Sequence, residues 1–101
     1  MGVERRQFQA VFPEVSRAQV TVDPVSLLDG AGATYSVSVP GAVLGDIVLF
    51  GAPYDLQDIT VTAYVQAANL VEFRVQNEGG ATVDLASGTW NVVVLHADFN
   101  N

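Results

Sequence analysis

Residues 59–76, ITVTAYVQAANLVEFRVQ, contain the pattern that decides the fold class. Apolar and polar side chains alternate over 59–66, and the alternation returns over 70–76, where Val71, Phe73 and Val75 are separated by charged or amide side chains. A period of two is typical of a β-strand with one buried face. The link Ala67-Ala68-Asn69 is short and contains an asparagine, a residue that tolerates turns. The stretch therefore predicts a β-hairpin.

Further strand signals lie on both sides of this hairpin. Residues 33–39 and 89–95 alternate in the same way, and the last of these places Trp90 on its apolar side, which predicts a central core strand. Residues 46–50 are apolar without alternation, which is typical of a strand covered on both faces. Weaker strand signals occur at 19–22 and 82–84.

These signals predict an all-β protein with an antiparallel, jelly-roll-like β-sandwich of about seven to eight strands. No stretch shows the spacing of an amphipathic helix, and 101 residues suffice for one domain. We expect the sandwich over residues 17–101. Residues 1–16, in which Phe8, Val11 and Phe12 mix with charges and a proline, are expected to form an N-terminal arm or edge segment.

The composition favours contact with proteins over contact with nucleic acid. Half of the residues are apolar, 15% are charged, and the net charge of −7 arises without a single lysine. An acidic surface is repelled by phosphates, so we expect neither nucleic acid nor an anionic membrane as a partner. The start, MGVERRQF, lacks the apolar core of a signal peptide, which predicts synthesis in a cytoplasm without secretion.

Residues with catalytic potential are few. His96 is the only histidine, and at the end of a predicted strand it is expected to be hydrogen-bonded or solvated rather than to act as a base. The closest carboxylate pairs, Asp55 with Asp58 and Glu72 with Glu78, fall in or beside predicted turns, where acids stabilise local structure. We therefore predict no catalytic residues and no enzyme activity.

The sequence also lacks the patterns of metal and cofactor sites. Its aspartates lie mostly in loops without the alternating spacing of a calcium loop, there is no cysteine, and Gly30-Ala31-Gly32 lacks the rest of a nucleotide fingerprint. No metal site and no cofactor are expected. The candidate contacts with a protein partner are the apolar side chains of the N-terminal segment, Phe8, Val11 and Phe12.

Three motifs carry a resemblance to a known group of proteins. They are VSVPGAVLGD at 37–46, VTAYVQAAN at 61–69, and FRVQN at 73–77 followed by DLASGTW at 84–90. In these positions the chain resembles the C-terminal β-domain of tailed-bacteriophage head decoration (cement) proteins and head-fibre proteins. The likeness spans about two-thirds of the chain. It is carried by turn and strand positions rather than by reactive side chains.

The resemblance implies a structural virion protein on the capsid surface, made in the host cytoplasm. Such a protein would be a homotrimer that binds at junctions between major capsid protein subunits and stabilises the shell. Its N-terminal segment would engage the capsid lattice or an adjacent protomer. The alternative is a fibre or carbohydrate-recognition module, in which Trp90, or Tyr54 with Tyr64, would form a stacking platform, although Trp90 on an alternating face favours the core.

Overall fold

The strands are defined by a computed structural model, which describes residues 14–96. Over this range the chain forms six β-strands: β1 (Glu14–Val22), β2 (Gly32–Ser38), β3 (Ile47–Gly51), β4 (Ile59–Ala67), β5 (Leu70–Asn77) and β6 (Gly88–His96). Within the same range there is no helix of the length and apolarity that a membrane crossing requires.

The strands form two antiparallel three-stranded sheets. Sheet A has the order β1-β6-β3 and sheet B the order β2-β5-β4. Strand β1 pairs with β6 along its whole length, from Glu14 opposite His96 to Val22 opposite Gly88. The central strands, β6 and β5, are therefore the ones that have hydrogen-bonded neighbours on both sides.

The core lies between the sheets and is built from the inward side chains of both. Trp90 on β6 is 1% exposed, and its ring lies 5.6 Å from the ring of Phe73 on β5. Phe50 and Tyr54 contact the same indole at 6.1 and 6.0 Å, measured between ring centroids. Valines fill the rest of the central region: Val37, Val65, Val71, Val92 and Val94. The sheets thus pack face to face, as in a β-sandwich.

The alternation of the sequence correctly predicts which side chains point inward. Strands β4 and β5 form the predicted hairpin, whose turn consists of Ala68 and Asn69, and Asn69 adopts φ of 65°. In β5 the residues Val71, Phe73 and Val75 are all buried. The prediction of a central last strand is likewise confirmed, because β6 lies in the middle of sheet A.

Two details of the predicted strands are wrong. The described chain has six strands rather than seven to eight, because residues 82–84 form only an isolated bridge between Leu27 and Val83. Strand β3 is not covered on both faces: it lies at the edge of sheet A, and Ile47 and Leu49 are 39% and 53% exposed. In this chain the continuous apolar run at 47–50 therefore belongs to an edge strand, one face of which is exposed to solvent.

Strand β1 begins at Glu14, so the predicted boundary after residue 16 falls inside this edge strand. The predicted partner contacts Phe8, Val11 and Phe12 lie outside the described residues.

Asn77 ties the end of β5 to two loops. Its side chain is fully buried and donates to the carbonyls of Leu27 at 2.9 Å and Ala81 at 2.7 Å, while its Oδ1 accepts from the Gly79 N–H at 3.0 Å. Buried carbonyl and N–H groups are costly when they lack partners. This one amide therefore joins both loops to the end of β5, in addition to the backbone bridge between Leu27 and Val83.

We expect Asn77→Ala to lower the free energy of unfolding by about 1–3 kcal/mol, because the carbonyls of Leu27 and Ala81 and the N–H of Gly79 lose their side-chain partner. Urea unfolding followed by Trp90 fluorescence measures this change. Asn91→Ala is the matched control, since Asn91 is exposed and makes a single surface bond to Gln19. A loss for Asn77→Ala no larger than that of the control would contradict the assigned role.

Candidate functional site

The outer surface of sheet A carries a patch of aliphatic side chains, which we call the apolar face. The strand register places Val15 and Ile47 on either side of Leu95, and Leu49 next to Val93 in the following row. Val15, Ile47 and Leu49 are 45%, 39% and 53% exposed. Val43 and Leu44, in the loop that leads into β3, are also exposed. Contiguous exposed apolar side chains of this kind mark contact surfaces.

The charge of the apolar face differs from that of the whole chain. The protein has eleven acidic residues, yet none of the outward-facing side chains of sheet A is acidic. Arg17 is the one charged side chain among them, and it borders a shallow depression with Gln19, Asn91 and Val93. A surface without carboxylates can approach another acidic protein without like-charge repulsion.

A second arrangement lies at one end of the sandwich, where three polar side chains are connected in series. The Nδ1 atom of His96 lies 2.7 Å from Asp46 Oδ2, and its Nε2 atom lies 2.7 Å from Ser16 Oγ. The Nδ1–H donates to the carboxylate, and in the neutral ring Nε2 accepts from the serine hydroxyl. We call this set the Ser16–His96–Asp46 relay. It links the last residue of β6 to β1 and to the loop before β3.

The relay has the connectivity of a nucleophile, a base and an orienting carboxylate. Acyl transfer also requires N–H groups aimed at a developing oxyanion. Three backbone N–H groups of the adjoining loop already have acceptors: Gly41 donates to Asn69 Oδ1, Ala42 to the Val39 carbonyl, and Val43 to Asp46 Oδ2. The relay therefore ties β1, the end of β6 and the loop before β3 together at one end of the sandwich.

The sequence pointed to only one member of this relay. His96 is hydrogen-bonded at the end of its strand, as predicted. The sequence does not identify Ser16 and Asp46 as its partners. The antiparallel register brings Ser16 close to His96, although the two residues are 80 positions apart. The sequence contains no local signal for such a register.

One carboxylate of each candidate pair accepts a hydrogen bond in the structure. Asp55 Oδ1 accepts the N–H of Gln57 at 2.9 Å, and Glu72 accepts the hydroxyl of Tyr64. Within residues 14–96 the structure brings no three His, Cys, Asp or Glu side chains together in a way that could hold a metal ion.

The three candidate stacking residues have different environments. Trp90 is enclosed in the core and offers no ring face to a ligand. Tyr54 is half-buried, with its ring set edge-on against Trp90. Tyr64, on the outer surface of sheet B, is 52% exposed and is the one whose ring can be reached from solvent.

Comparison with known proteins gives no relative: no protein-family model, no curated protein and no solved structure matches the chain.

We expect His96→Ala to lower the free energy of unfolding by about 1–3 kcal/mol, because the Asp46 carboxylate, whose side chain is 9% exposed, loses a charge-assisted hydrogen bond. Urea unfolding of His96→Ala, Asp46→Ala and the double variant gives the coupling between the two residues. We expect the two losses to be less than additive by about 0.5 kcal/mol or more. Strict additivity would show that the relay is not a stabilising contact.

Proposed function

We propose that this chain is a structural protein that acts by contact with other proteins, as a decoration protein that stabilises a bacteriophage capsid at junctions between major capsid protein subunits. The observation that carries the proposal is the apolar face, an exposed and acid-free aliphatic surface on a strongly acidic chain. The resemblance of the segments at 37–46, 61–69, 73–77 and 84–90 to bacteriophage decoration proteins supports the choice of partner. We also propose that the strands of the sandwich are connected in the jelly-roll-like order expected from the sequence.

The energetics of the apolar face fit a contact that is repeated many times. Burial of apolar surface contributes roughly 25 cal/mol per Å², so a patch of a few leucine-sized side chains gives a modest affinity by itself. Association into a homotrimer would multiply that affinity, because three linked contacts act together on one lattice. Phe8, Val11 and Phe12 would add further apolar contacts at the capsid surface of the virion.

A second candidate is a fibre or carbohydrate-recognition module. The observation that favours it is the exposed ring of Tyr64, which lies on the opposite side of the molecule from the apolar face.

We expect the protein to form trimers in a concentration-dependent way, and we expect Leu49→Asn to leave the trimer intact, because the apolar face is the surface that we propose to contact the capsid. Light scattering across a concentration series measures the mass. Thr62→Asn is the matched control on the outer surface of sheet B. A wild-type monomer at every concentration would contradict the homotrimer, and loss of the trimer in Leu49→Asn alone would show that the apolar face binds another protomer and not the capsid.

Capsid binding is tested by co-sedimentation with expanded heads of the phage that encodes the chain. We expect saturable binding of the wild-type protein and a reduced occupancy for Ile47→Asn combined with Leu49→Asn. The heads should also withstand a higher temperature before they release DNA when the wild-type protein is bound. Failure of the wild-type protein to sediment with the heads would refute the decoration role.

A further inference from the structure

The outer surface of sheet B is polar, and its side chains stand in two neighbouring rows across the three strands. The register places Tyr64, Glu72 and Ser36 in one row. Thr62, Arg74 and Thr34 stand in the other. We call the six residues the polar face. They offer hydroxyl, carboxylate and guanidinium groups on one flat surface beside an aromatic ring.

Side-chain contacts hold part of this face in a fixed arrangement. Arg74 donates from Nη1 to Thr34 Oγ1 at 3.1 Å and from Nη2 to Gln76 Oε1 at 3.0 Å. Gln76 in turn donates to the carbonyl of Gly30 at 3.0 Å. Ordering long polar side chains before a ligand arrives lowers the entropy that binding costs. The guanidinium is therefore positioned without a ligand.

Gly32 makes this arrangement possible. A Cβ atom at position 32 would overlap both Gln76 Oε1 and Arg74 Nη2, so any side chain there would displace the pair. Gly32 pairs with Gln76 in the register of β2 and β5, and its φ lies outside the positive region. The glycine therefore leaves room for the ends of these two flexible side chains, which a Cβ atom would shift from their present positions.

Tyr64 is fixed at the other end of the face. Its hydroxyl donates to Glu72, its partner across the strand pair, so the ring is tethered over the sheet while the residue remains 52% exposed. A tethered ring with an open surface is a platform for the apolar C–H groups of a flat ligand. Next to this ring lie the Glu72 carboxylate and the Arg74 guanidinium, which can form hydrogen bonds with hydroxyl groups.

We propose that the polar face binds a neutral oligosaccharide, with one pyranose ring stacked on Tyr64 and its hydroxyls bonded to Glu72 and Arg74. A sugar offers both the C–H surface and the vicinal hydroxyls that this combination of groups recognises. The charges of Glu72 and Arg74 cancel, and the chain's net charge of −7 repels acidic ligands, so a neutral sugar fits best. The proposal specifies the ligand of the second candidate function and does not depend on capsid binding.

The test is an NMR titration of the uniformly ¹⁵N-labelled full chain with maltotriose, cellotriose and triacetylchitotriose. We expect at least one of these neutral trisaccharides to give saturable shifts at the amides of Tyr64, Glu72 and Arg74. Tyr64→Ala should weaken that binding about tenfold or more, and Arg74→Ala should weaken it similarly. Tyr64→Phe keeps the ring and should retain more affinity than Tyr64→Ala.

Leu49→Asn is the control that separates this proposal from the capsid role, because it alters the opposite face of the molecule and should leave sugar binding unchanged. Three outcomes would overturn the proposal: no saturable shift with any of the three sugars up to about 20 mM, shifts that persist in Tyr64→Ala, or binding of the acidic sugar 3′-sialyllactose in preference to the neutral ones. Amide spectra of the variants without sugar verify that each is folded.

Discussion

The contact between Trp90 and Phe73 is the constraint on which the rest of the structure depends. These two rings come from the central strands of the two sheets, and their centroids lie 5.6 Å apart. Each sheet has only three strands, so neither can bury its apolar surface except against the other. The indole, with Phe50 and Tyr54 around it, supplies a large share of the buried area in a domain this small. The spacing of the sheets follows from it.

Because the core lies between the sheets, their outer surfaces are free to differ. Sheet A presents Val15, Ile47 and Leu49 to solvent, whereas sheet B presents hydroxyls, Arg74 and the tethered ring of Tyr64. An exposed aliphatic patch contributes little to the stability of an isolated chain. The two outer surfaces therefore differ in chemistry, and this difference is what our two proposals rest on, a protein partner for sheet A and a hydroxylated ligand for sheet B.

Polar contacts add to the core packing at the end of the sandwich where β6 finishes. Asp46 accepts from His96 and from the N–H of Val43, so one carboxylate both connects to β6 and shapes the loop that carries the exposed Val43 and Leu44. Charge-assisted hydrogen bonds are directional, and here they add to the packing of the buried Val39, Ala42 and Val94. The relay therefore fixes the position of the loop next to the apolar face.

The sequence by itself determined the all-β class, the hairpin of β4 and β5, and the inward side chains of the alternating strands, because a period of two is a local property of a strand with one buried face. The sequence did not determine whether one or both faces of β3 are buried. A run of apolar residues looks the same when the second face of the strand packs against a sheet and when it is exposed to solvent. Only the tertiary structure decided the pairing of β1 with β6, and with it the meeting of Ser16, His96 and Asp46. The physical reason is that strand register between distant segments is set by the packing of the whole core, which no short stretch of sequence encodes.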